Sequence, residues 1–86
     1  MKIARTVRFK KAWEHLAGRE KVSAREAIAN LTVNIQYPAL RVKKIKGAEN
    51  IREARASCSL RITFQIDVNI IILRNIGRHN ETLTRP

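Results

Sequence analysis

Glu53-Ala54-Arg55-Ala56-Ser57-Cys58-Ser59-Leu60-Arg61-Ile62-Thr63-Phe64-Gln65-Ile66 is the stretch whose parity decides the fold. Leu60, Ile62, Phe64 and Ile66 alternate with Arg61, Thr63 and Gln65, the period of a strand with one face in a core. Arg61 therefore points away from that core. For the preceding strand to present Ala54 and Ala56 to the same core, they must lie opposite Ile62 and Leu60, because residues paired across a ladder share a face. This register leaves Ser57, Cys58 and Ser59 as the hairpin loop and sets Arg55 directly opposite Arg61. A like-charged pair is mildly destabilising alone, so its presence on an open sheet face points to an anion that meets it there. Glu53, next along the same face, offers the alternative: it neutralises Arg55 or pairs diagonally with Arg61, and the face is then a salt-bridged surface of little consequence.

Working outward, Asp67-Val68-Asn69 reads as a second hairpin turn, with strands at about 51–57, 60–66 and 69–75. Ile70 to Leu73 are four consecutive apolar residues. They predict a central strand covered on both faces, or one set against helices and partly under a partner. Upstream, Arg41-Val42-Lys43-Lys44-Ile45-Lys46-Gly47 permits a further strand, and Gly47 to Asn50 a turn. Near the N-terminus, Lys2 to Arg5 is either a short edge strand or a disordered start. Thr6 is a plausible N-cap for a helix running to about Gly18, in which Phe9, Trp13 and Leu16 form one apolar face with Trp13 as a core anchor. Ser23-Ala24-Arg25-Glu26 has the form of a capping box. It predicts a second helix that carries Ala27, Ile28, Leu31 and Ile35 to the core and stops at Pro38. Two helices followed by strands give an α+β domain: an N-terminal helical hairpin packed on one face of an antiparallel sheet of about four strands.

At 86 residues the chain has length for one domain, residues 1–86, with a single modest core. Its formal net charge is +11, from 18 Lys and Arg against 7 Asp and Glu. The cations are spread along the chain, so a polyanion or an acidic protein is the expected counterpart. One cysteine, Cys58, cannot form an internal bridge and suits a reducing cytosol; it reads as a small residue in a turn. The N-terminus lacks the apolar core of a signal peptide, and Ile70–Leu73 is far too short to cross a bilayer, so the expectation is a soluble, cytoplasmic protein that uses no membrane. His15 and His79 lie in different elements with no Cys or carboxylate at ligand spacing, so neither a metal nor another cofactor is expected.

In order and spacing, several segments resemble the RelE superfamily of toxins from bacterial toxin-antitoxin modules, especially its YafQ-like branch. They are Leu40–Gly47, Ile51–Arg55, Leu60–Phe64 and Ile72–His79, together with the helix around Phe9 to Leu16. The resemblance implies a compact sheet packed against two helices, ribosome-dependent cleavage of messenger RNA, and neutralisation by a cognate acidic antitoxin. It assigns Arg61 to the scissile phosphate, Arg55 to a neighbouring basic position and His79 to proton transfer. Lys43, Lys44 and Lys46 match a strand that grips RNA backbone, and Arg78 joins them beside the histidine. The chain departs from the family at Leu83 and Leu60, where aromatic residues are usual. Related folds of the ParE branch poison DNA gyrase without cleaving RNA, and a non-toxic RNA- or ribosome-binding module would account for the charge alone.

The chemistry asks for the same residue types. Attack of a ribose 2′-OH on its own phosphate needs a group to take that proton, another to protonate the leaving 5′-oxygen, and cations to hold the phosphorane. Arg55 and Arg61 offer planar, bidentate donors. His79 is the one side chain in this stretch that ordinarily titrates near neutrality, and Glu53 and Glu81 are the available carboxylates.

Overall fold

In the computed structural model, which describes every residue from Met1 to Pro86, the hairpin of β4 (Leu60–Asp67) and β5 (Ile70–Arg78) is the centre of a five-stranded sheet. On one side β3 (Arg52–Arg55) and β2 (Lys43–Lys44) continue it antiparallel. On the other, β1 (Lys2–Arg5) pairs parallel with β5, Ile3 beside Ile71. The β3–β4 register is the one the alternation predicts: Ala54 faces Ile62, Arg55 faces Arg61, and the Ala56 N–H donates to the Leu60 carbonyl at 2.9 Å. The second turn is tighter than expected. Asp67 pairs with Ile70, leaving two residues at its tip, and Val68 there adopts a φ of 54°. A β-branched residue is strained in that left-handed region. Val68→Asn should therefore stabilise the domain by about 1 kcal/mol, read as a rise of roughly 4–8 °C in thermal unfolding for a domain of this size.

One face of the sheet meets helices α1 (Val7–Glu14) and α2 (Gly18–Val33). Phe9 from α1 and Ala24, Ala27 and Leu31 from α2 pack on Ala54, Leu60, Ile62, Phe64, Ile71, Leu73 and Ile76. The alanines of α2 bring its axis close to the sheet, so the large side chains come from the strands. Trp13 is only half-buried at the margin of this core, with the Arg25 guanidinium 5.3 Å from its ring centre; Phe9, at 1% exposure, is the anchor. Thr6 caps α1 as expected, its hydroxyl oxygen accepting from the Phe9 N–H, and it also donates to the Arg74 carbonyl, which ties the helix start to β5.

Further expectations are corrected. The sheet is mixed, with five strands, because β1 has its partner at the far end of the chain. The second helix begins at Gly18 and not at Ser23, because the Glu20 carboxylate reaches back to the Ala17 N–H at 2.8 Å and closes the first turn there. That helix stops at Val33 with Asn34 in an extended conformation, so Ile35 reaches the core from the loop, and Pro38 opens a short 3-10 turn. Finally, β5 runs on to Arg78 and a third helix, α3 (His79–Thr84), folds back over the face of the sheet opposite α1 and α2.

Candidate active site

Ladder pairing puts Lys43 opposite Glu53, Glu53 opposite Thr63, Arg55 opposite Arg61 and Arg61 opposite Gly77. These side chains share the sheet face turned away from α1 and α2. α3 starts immediately after β5 and passes close over Gly77: a Cβ built there would lie 3.4 Å from the Glu81 carboxylate. His79 is the first residue of that helix, so the reversal of the chain swings its ring back toward β3.

The result is a buried carboxylate with cations around it. Glu53 is only 3% exposed. Its Oε2 lies 3.3 Å from His79 Nδ1, and its Oε1 lies 3.8 Å from Lys43 Nζ and 3.9 Å from Arg61 Nε. The His79 contact has ion-pair distance but not hydrogen-bond geometry, for neither Oε2 nor Nδ1 has a hydrogen-bond partner within the protein. A buried polar pair held this close and still unsatisfied is a feature that active sites tolerate and cores avoid. With Nδ1 turned to the carboxylate, the opposite ring nitrogen, Nε2, is left for a ligand, and the His79 side chain is 44% exposed. Glu53 is too deeply covered to meet a large substrate itself.

The two arginines are held by the loop that joins their strands. Arg61 Nη1 donates to the Ser57 carbonyl at 2.7 Å, to Leu60 at 3.1 Å and to Cys58 at 3.3 Å. Arg55 Nε donates to the same Ser57 carbonyl at 3.4 Å, and its Nη2 lies 3.5 Å from the Cys58 sulfur. One carbonyl thus serves both guanidinium groups and offsets their repulsion. No hydrogen bond within the protein uses Arg61 Nη2 or Arg55 Nη1, so each keeps a donor edge for an anion.

Of the remaining candidates only Lys43 joins this group. Lys44, the next residue along the strand, pairs with Arg52 and projects to the opposite face, and Lys46 is exposed in the turn that follows. Arg78 pairs with Leu60 and lies on that residue's side of the sheet. Glu81 caps Gly77 and lines a groove of about 820 Å³ between α1 and α3, with Arg8, Lys11 and His15 across from it. Leu83 is 42% exposed on α3. Sequence reasoning missed the burial of Glu53; the signal available was its position on the Arg55 face, but α3, which covers it, was not foreseen. No three His, Cys, Asp or Glu side chains converge as a metal site would require, and no helix is long and apolar enough to cross a membrane.

This architecture, two helices on one face of a mixed sheet and a short C-terminal helix on the other, is the fold of the RelE, YafQ and YoeB toxins. Among solved structures, a chain of the RelB-RelE antitoxin-toxin complex from Methanococcus jannaschii superposes with a TM-score of 0.77 at 22% identity, over 96% of this chain and 99% of that one. The YoeB/ParE toxin from Agrobacterium tumefaciens gives 0.80 at 14% identity, over 92% and 99%. YafQ from E. coli gives 0.73 at 13% identity, over 93% and 94%. No protein-family model matches the sequence, and no curated protein is significantly similar to it.

Proposed function

We propose that this protein is the toxin of a toxin-antitoxin pair and acts as a metal-independent endoribonuclease on messenger RNA held in the ribosome. The observation that carries the reading is the convergence of Glu53, Arg61 and His79 from three separate elements onto one cationic face of the sheet. The likeness to toxins solved with their antitoxins supports the first half of the proposal.

In this reading the free edge of Arg61, assisted by Arg55, receives the scissile phosphate and stabilises the charge that grows on it. His79 Nε2 exchanges a proton with the attacking ribose or the leaving 5′-oxygen. Glu53 acts through His79: it orients the ring and balances the positive charge the ring carries during transfer. The partner that restrains the toxin is an acidic antitoxin, as the net charge of +11 favours.

Lys43 is the lysine placed to hold RNA backbone beside the site. Lys43→Ala should lower the salt dependence of RNA binding by roughly 0.7 in the logarithmic slope, one phosphate contact on a single strand. Lys44→Ala, on the other face, should leave the slope unchanged. Equal effects from both would put the RNA elsewhere.

The decisive experiment is induced expression followed by mapping of messenger RNA ends. New ends within translated regions, absent when the antitoxin is co-expressed, are expected. Growth arrest with intact messenger RNA would favour a gyrase-directed toxin of the ParE kind, a reading to which the aliphatic Leu83 would be suited.

A further inference from the structure

The short helix that carries His79 is not self-supporting. α3 has six residues, far below the length at which a helix persists alone in water, yet its first residue must stay 3.3 Å from a buried carboxylate. What holds its far end is a set of side chains on the sheet. Asn75 Nδ2 donates to the Arg85 carbonyl at 2.8 Å, while its own Oδ1 accepts from the Ile76 N–H at 2.9 Å and fixes the amide. Thr63, wholly buried, donates to the Pro86 carbonyl oxygen at 3.2 Å. Arg74 Nε donates to the same oxygen at 3.1 Å, with its Nη1 on Gln65 Oε1 at 2.6 Å.

Consecutive residues of a regular strand point to opposite faces, so Arg74 and Asn75 would not ordinarily act on one target. They do so here because β5 bulges: Thr63 pairs with Asn75 and the next residue, Phe64, with Leu73, leaving Arg74 as the extra residue. A bulge re-aims a side chain, and this one delivers two neighbouring side chains to the same face.

We propose that the β5 bulge is a positioning device for the reaction: Arg74, Asn75 and Thr63 clamp residues 85–86 and thereby set the His79 ring against Glu53. The inference rests on the nuclease reading for its consequence in rate, but not for the geometry itself. None of the three is a catalytic residue; they act through α3. Since a displacement of about 1 Å in a reacting group can cost on the order of 10²-fold, releasing the clamp should slow cleavage of bound RNA by about 10- to 10²-fold with RNA affinity unchanged.

The test uses Asn75→Ala, Thr63→Val and, as the conservative control, Thr63→Ser. Two readouts are taken on the full chain: single-turnover cleavage on programmed ribosomes, and NMR of the protein alone, following the His79-ring to Glu53 cross-peak and amide exchange. Asn75→Ala and Thr63→Val should lose the cross-peak and expose the amides of Thr82 to Arg85, with β4 and β5 amides still protected, and Thr63→Ser should behave as the parent. The proposal is overturned if the cross-peak survives in Asn75→Ala, or if Thr63→Ser loses as much as Thr63→Val. Should Asn75→Ala not fold, Arg74→Gln, at a half-buried position, decides by the same signature. If the parent never cleaves, the nuclease reading falls, and the cross-peak alone upholds or overturns the clamp.

Discussion

Replacing His79 with glutamine is expected to slow single-turnover cleavage of messenger RNA on programmed ribosomes about 10²- to 10⁴-fold, the usual range for loss of a proton-transfer group. Glutamine retains the length and hydrogen bonding of the histidine but cannot titrate. The ring stands over the polar face of the sheet, outside the apolar core, so melting temperature and RNA affinity should be retained. Cleavage at the parental rate would remove His79 from the chemistry and move the proton to a carboxylate. Glu81, exposed on α3, would then be the one with access.

Arg61→Ala should cost on the order of 10²- to 10³-fold, the penalty typical of losing one donor to charge that develops in the transition state. The comparison with Arg55→Ala is informative. Both arginines share the Ser57 carbonyl, but only Arg61 also approaches Glu53. A smaller loss at Arg55 fits an assisting role; equal losses would mean that the phosphate bridges the two. The rate of bound substrate and the affinity must be measured separately, since an effect confined to affinity would make Arg61 a tether only.

The part of the fold that sequence made legible was local. Strict alternation on one strand and small apolar residues on the next left a single loop length compatible with both, so Arg55 opposite Arg61 followed from parity. The capping of α1 by Thr6 was legible for the same reason. What stayed hidden depends on distant partners. β1, four residues without strong alternation, was legible only as an edge strand or a disordered start; its parallel pairing was not, because only β5 gives it a place. α3 has no apolar stripe and is held by side chains on the sheet, so its sequence, His79-Asn80-Glu81-Thr82-Leu83-Thr84, reads as loop. The start of α2 was misplaced because Ser23 and Glu26 mimic a cap inside a helix already begun by Glu20. In the candidate site, sequence could name the arginines and His79 as candidates but not bring them to Glu53. That Lys43 and Lys44 part company follows from a strand only two residues long, whose neighbours face opposite ways.

The parallel pairing of β1 with β5 bears on how the molecule comes into being. Lys2 aligns with Ile70 and Arg5 with Leu73, a sequence separation that spans most of the chain. Such high contact order delays folding, because distant segments must meet before their contacts reward the closure. During synthesis the first strand has no neighbour until Ile70–Leu73 has left the exit tunnel, and Glu53 and Arg61 wait longer still for His79. A nascent chain whose residue 79 has not yet emerged therefore carries no assembled cluster of Glu53, Arg61 and His79. The topology leaves an interval, set by elongation, in which the strands that carry Glu53 and Arg61 are out before the cluster with His79 can close.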